Sequence, residues 1–204
     1  MGAVYLPTKN NLIKLRNTIK QHKNGQKLLE EKSLILKRKL EDYKQKQNEI
    51  RNHLTQAIED AENTLKKAIV DVGFDELMDI SNAIVYDNTI NIKYLSLMGI
   101  EIPSLKTEKL ETDLNYGLYH TTSNVDESIL KFLKVKEEII RLSEIDNIII
   151  RLKKAIEKIE RRSNALKEII IPRDEQLANQ ISSTLEEAER DEFIRLKVVK
   201  NRNI

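Results

Sequence analysis

Residues 36–61 read LKRKLEDYKQKQNEIRNHLTQAIEDA, with Leu36, Leu40, Tyr43, Gln47, Ile50, Leu54, Ala57 and Ala61 alternately four and three apart. That alternation is the seam of a coiled coil, with one polar member at Gln47. Leu65, Ala68 and Val72 carry the seam on after an extra step of four, a stutter that relaxes supercoiling locally. Upstream, Pro7-Thr8 writes a helix start, because Thr is a good N-cap and the apolar pattern begins at Leu12. Downstream, Gly73 is the expected stop. A helix from Thr8 to Val72 would be roughly 98 Å long, too long for a compact domain.

A second seam lies near the other end. Ile145, Ile149, Leu152, Ile156, Ile159, Ser163, Leu166 and Ile170 repeat the alternation, on a helix predicted to start near Asn124 or Asp126. Pro172 should end a helix, since it lacks an N–H and crowds the carbonyl four residues back. Apolar residues nevertheless resume at Leu177, Ile181 and Leu185, so Pro172 is predicted to kink a continuing helix.

Between the two seams the period changes. Residues 89–97 largely alternate with period two, then Met98-Gly99 and Ile100-Glu101-Ile102-Pro103 follow. This predicts a β-hairpin near 89–103 with its turn at Gly99. Residues 73–88 suit a short helix, and 104–123 are polar and are expected to be irregular. The expected fold is all-α: a long antiparallel two-helix coiled coil with a small middle region containing short helices and the hairpin. The divisions are 1–72 for the first helix, 73–125 for the middle region and 126–204 for the second helix. A parallel homodimer would also bury such seams, but two arms of matched length around a break favour folding back.

Composition agrees with long helices: charged residues make up 33%, aromatics 4%, and Gly and Pro number five and three. There is no Cys, which excludes disulfides and thiolate chemistry and suits a reducing compartment. No apolar run approaches the ~20 residues that span a bilayer, and the first residues form no signal peptide. The chain is expected to reach a membrane only through partners. The net charge of +2 is unevenly spread: residues 1–40 hold ten Lys/Arg against two Glu, and residues 71–127 three Lys against eleven Asp/Glu. From Arg190 onward five basic residues face two acidic ones.

Signs of chemistry are absent. No two glycines lie within fifteen residues of each other, so neither a P-loop nor a dinucleotide fingerprint is possible. His22, His53 and His120 are isolated, which argues against a metal site. Basic residues near the ends lack the interleaved aromatics that stack on bases between 6 and 42, against a nucleic-acid partner. Neither a catalytic residue nor a cofactor or metal is expected. Gly25 interrupts a helix at a cost of roughly 1 kcal/mol relative to Ala. It is a candidate flex point or a place where a partner approaches closely.

Several blocks resemble the D subunit of the V-type and archaeal-type (A-type) rotary ATPases. They are Pro7-Thr8-Lys9, Gly25-Gln26-Lys27-Leu28-Leu29 with Lys32, and Met98-Gly99-Ile100-Glu101-Ile102-Pro103. Then come Arg161-Arg162-Ser163-Asn164-Ala165-Leu166-Lys167-Glu168 with Ile171-Pro172. Leu185-Glu186-Glu187-Ala188-Glu189-Arg190-Asp191-Glu192-Phe193 with Arg195-Leu196-Lys197 completes the set. Ser163 departs from the aliphatic residue usual there, and the middle region is the least similar. The resemblance implies a non-catalytic rotor shaft in the central stalk, cytoplasmic and peripheral to the membrane. Its paired ends would enter the hexameric catalytic head, the F subunit would bind its side, and the middle would meet a socket on the membrane ring. Rotation would couple ATP hydrolysis or synthesis to H⁺ or Na⁺ transport. The candidate head-contacting tip is Lys9, Lys14, Arg16, Lys20, Arg190, Phe193, Arg195, Leu196 and Lys197, with the kink at Pro172. A coiled-coil adaptor and a rotor-like chaperone of flagellar export are the alternatives.

Overall fold

A computed structural model describes residues 6–83, 90–107 and 121–202. Helix α1 runs Lys9–Val72 and α2 Phe74–Ala83; strands β1 and β2 span Ile90–Leu97 and Ile100–Thr107. Helix α3 covers Ser123–Ala165, and after a five-residue π turn, Leu166–Ile170, helix α4 runs Ile171–Arg202. The chain divides into two compact units, one of Met1–Leu36 with Ile156–Ile204 and the other Lys37–Ala155.

Both ends of α1 are as expected. Thr8 caps its start: its Oγ1 accepts from the Asn11 N–H at 3.2 Å and its carbonyl from the Leu12 N–H at 3.0 Å. At the other end Gly73, at φ +95°, donates to the Ile69 carbonyl, the left-handed stop that only glycine makes cheaply. The seam residues from Leu36 to Ala61 are all buried or half-buried. Thr64, buried, sits three after Ala61 and four before Ala68, whereas Leu65 is only half-buried. Thr64 thus takes the position expected of Leu65, and the extra step of four falls between Ala68 and half-buried Val72, past exposed Asp71, instead of after Ala61.

Within each unit α1 pairs antiparallel with the C-terminal helices. In the first unit Lys9 meets Glu189, His22 meets Asp174 and Ser33 meets Glu160. In the second unit the Gln47 amide donates to Asp146 at 2.5 Å and Lys131 to the Thr64 hydroxyl at 2.6 Å. Asn124 donates to Asp71 at 2.5 Å. Thus each polar interruption in the seam of α1 faces a polar partner. An apolar seam alone tolerates sliding by a heptad, and a polar member specifies the register. Leu36 and Leu152, with no exposed surface, are the largest side chains in the seam that are completely enclosed.

The second unit carries the hairpin. Met98 at φ +53° and Gly99 at φ +79° form the two-residue turn, the primed type that matches strand twist. Leu97 pairs with Ile100 and Tyr94 with Pro103. Since the closing pair of such a turn is hydrogen-bonded, alternation puts Pro103 where its N–H would point away from β1. Strand β2 consequently runs through Pro103 to Thr107, correcting the expectation that residues 104–107 are irregular. Its outer edge is met by α3: the Leu105 N–H donates to Glu144 at 3.2 Å, and Arg151 donates to the Glu101 carbonyl at 3.0 Å. The same guanidinium lies 5.2 Å from the Tyr94 ring centroid, a cation–π contact. The expectations for 84–89 and 108–120, His120 among them, fall outside the described residues.

Pro172 does not end the helix. The extra residue of the π turn moves the seam by one position, so the buried residues beyond it are Ile171, Asp174, Ala178 and Ile181. Leu177, expected on the seam, flanks the cluster of Leu15, Ala178 and Ile181 instead.

Candidate functional site

Lys9, Lys14, Arg16 and Lys20 occupy the first turns of α1; Arg190, Phe193, Arg195, Leu196 and Lys197 lie on the last turns of α4. The first unit brings the first turns of α1 against α4 only as far as Glu189, so Arg190, Phe193, Arg195, Leu196 and Lys197 lie beyond the paired stretch. Leu12, Ile19, Leu177 and Leu185 pack around the Leu15–Ala178–Ile181 cluster, and beyond it Lys9 bonds Glu189 at 2.7 Å. The hydrogen bond from Lys9 to Glu189, then the charge of that carboxylate, holds the Lys9 ammonium above the usual lysine range. Both groups are well exposed, so the link is worth little in stability.

Past Glu189, helix α4 continues to Arg202, roughly 20 Å farther. Every residue from Glu186 to Asn201 is exposed. Phe193 is 69% exposed and Leu196 63%, and Ile194, Val198 and Val199 are also more than half exposed. A shallow hollow of about 400 Å³ lies among Glu186, Glu189, Arg190, Phe193 and Ile194. Five large apolar side chains within seven residues, distributed around the helix, remain uncovered by any described residue. Surfaces of that kind mark places where another protein binds.

Asp174 is a buried group that the apolar spacing does not announce. It is 6% exposed on the shifted seam, 3.3 Å from His22 Nδ1 and 3.1 Å from the guanidinium of Arg173. The one signal in the sequence is Pro172 two residues earlier, which marks the place where the helix departs from regularity. His22 Nδ1 is buried and makes no hydrogen bond, so the Asp174 carboxylate beside it acts through charge, and Asp174→Ala should cost about 1–3 kcal/mol by removing that ionic neighbour from a half-buried ring. Urea unfolding of the chain checks this, and an unchanged midpoint would mean the pair is solvated.

Gly25 lies inside α1, and a Cβ there would meet nothing within 4 Å. The chain's own packing therefore does not require glycine at that position. Among the described residues no cluster of three or more His, Asp or Glu could hold a metal. No helix of the described residues is long and apolar enough to cross a membrane.

The family model of the ATP synthase D subunit matches residues 11–201. The chain belongs to the ATP synthase D-subunit family. It is 33% identical over 196 residues to the D subunit of a V-type ATP synthase from Thermotoga neapolitana, covering 96% of this chain and 97% of that one. It is 38% identical over 197 residues to the D subunits of the A-type ATP synthases of Pyrococcus horikoshii and Pyrococcus abyssi, covering 95% of this chain and 92% of each relative. The match to the family includes the bare end of α4 as well as the paired helices.

Proposed function

We propose that this D subunit is the non-catalytic central shaft of a V-type or A-type ATP synthase. In this reading the bare end of α4 and the start of α1 enter the catalytic head, the F subunit binds along the shaft, and the middle region meets a socket on the membrane ring. Turning of the shaft couples ATP hydrolysis or synthesis to transport of H⁺ or Na⁺. The protein is then cytoplasmic and peripheral to the membrane, held there by the complex. The observation that carries the reading is the exposed apolar end of α4 in a chain matched along its length to the D-subunit family. The polar pairs of the seam support it, because a shaft that transmits torque needs helices whose register does not slip. Gly25, with space above it, is offered as the flex point or as room for a partner.

The isolated chain is expected to bind no ATP in calorimetry, while adding it to the purified head changes the turnover of the head. A probe fixed to the middle region should rotate during hydrolysis. Measurable ATP affinity of the chain alone, or a head indifferent to its presence, would overturn the reading.

A further inference from the structure

Beside the π turn, a groove of about 620 Å³ opens between α1 and the start of α4. Arg16, Lys20, Lys23 and Lys27 line one side, and Lys167 joins them from the π turn. The floor is apolar, made of Ile19, Ile171 and Pro172. The one carboxylate in the lining, Glu175, is bonded to Lys23 at 2.6 Å. Arg16, Lys20, Lys27 and Lys167 make no ion pair with any described residue. Four uncompensated cations therefore converge on one concavity with an apolar base.

The distribution of those charges tells what they suit. Arg16 to Lys27 is an advance of roughly 16 Å along the helix axis. Cations spread over that length cannot close on one compact anion, and the sides of helices offer no row of free backbone N–H groups to cradle a phosphate. An extended chain advances ~3.3 Å per residue, so a segment of about five residues matches the span. The apolar floor takes one uncharged side chain of that segment. Nucleic acid fits less well, because residues 6–42 contain no aromatic side chain on which bases could stack.

We propose that this groove docks an extended acidic segment of a neighbouring protein in the complex, two or more carboxylates flanking one small apolar side chain. The proposal rests on the central-shaft reading, and names the chemistry of the partner at this height on the shaft. Opposite charges there guide the encounter and fix the orientation more than they add affinity.

The test uses the assembled complex. Carbodiimide coupling, which joins lysine amines to carboxylates in contact, should link Lys20, Lys27 or Lys167 to one acidic stretch of one neighbour. The double variant Lys20→Glu/Lys27→Glu should weaken incorporation by about ten-fold and reduce its salt sensitivity, while Lys20→Arg/Lys27→Arg should not. Normal assembly and turnover with the double Glu variant would overturn the groove and leave the shaft reading intact. A wild-type chain that never enters the complex would sink both. Tighter binding of polyphosphate or single-stranded DNA than of a Glu-rich hexapeptide with one Leu, measured on the free chain, would also overturn the proposal.

Discussion

Deletion of residues 190–204 is expected to abolish incorporation of the chain into the catalytic head while barely changing its unfolding midpoint. The two halves of that expectation have the same cause. Residues 190–201 are exposed, so their removal takes no core with them. Phe193, Ile194, Leu196, Val198 and Val199 are in contrast available to a partner. Complete burial of one such side chain contributes about 1.5–3 kcal/mol, and each already hides part of its surface. Even half of that sum is roughly 5 kcal/mol, or more than a thousand-fold in affinity. The charges contribute less: Arg195→Ala should cost about 0–1 kcal/mol, and Phe193→Ala more than any single basic residue. Size-exclusion chromatography of the reconstituted complex reads the assembly, and calorimetry the midpoint. Loss of assembly from Arg195→Ala alone would instead identify a specific anchoring contact.

The parts of the fold legible in the sequence are those written in local chemistry. Thr8, Gly73 and Gly99 each announce a backbone geometry that few other residues adopt, and the structure uses all three. The seam between Leu36 and Ala61 is legible because apolar spacing repeats for many turns. Strand β2 reads too short at Pro103, where a residue that breaks strands lies on the edge that does not need its N–H. Hydropathy favours Leu65 over Thr64 for the seam, although Lys131 makes the threonine the better partner. The tip is legible only as charge and resemblance. The uncovered apolar end of α4 has no local signature, because exposure depends on where the partner helix begins. The shift of seam at the π turn is hidden for another reason. Ile170 and Leu177 fit an unbroken alternation on paper, and only burial of Ile171, Asp174 and Ala178 shows that one residue has been inserted.

That inserted residue sets the expectation for Pro172. In a regular helix the proline ring would collide with the carbonyl of Glu168, and the cost would be roughly 3 kcal/mol. The π turn, in which the Ile171 N–H bonds the Leu166 carbonyl, widens the helix at that point and relieves the collision. With the collision already relieved, Pro172→Ala should change stability by no more than about 1 kcal/mol, the regained backbone N–H being offset by a freer unfolded chain while the extra residue still has to be accommodated. Deleting exposed Glu168 as well removes the insertion. The alternation then runs without interruption from Ile156 through Ile159, Ser163 and Leu166 to Ile171, Asp174, Ala178 and Ile181. This double change should add ~1–2 kcal/mol of stability, read by urea unfolding. A proline beside a π turn is also where helices change direction, and a shaft whose tip leaves the rotation axis can act as a cam. We accordingly expect the straightened variant to enter the head yet deliver less torque to a single-molecule probe. If it is more stable and turns the probe with unchanged torque, the insertion serves packing alone.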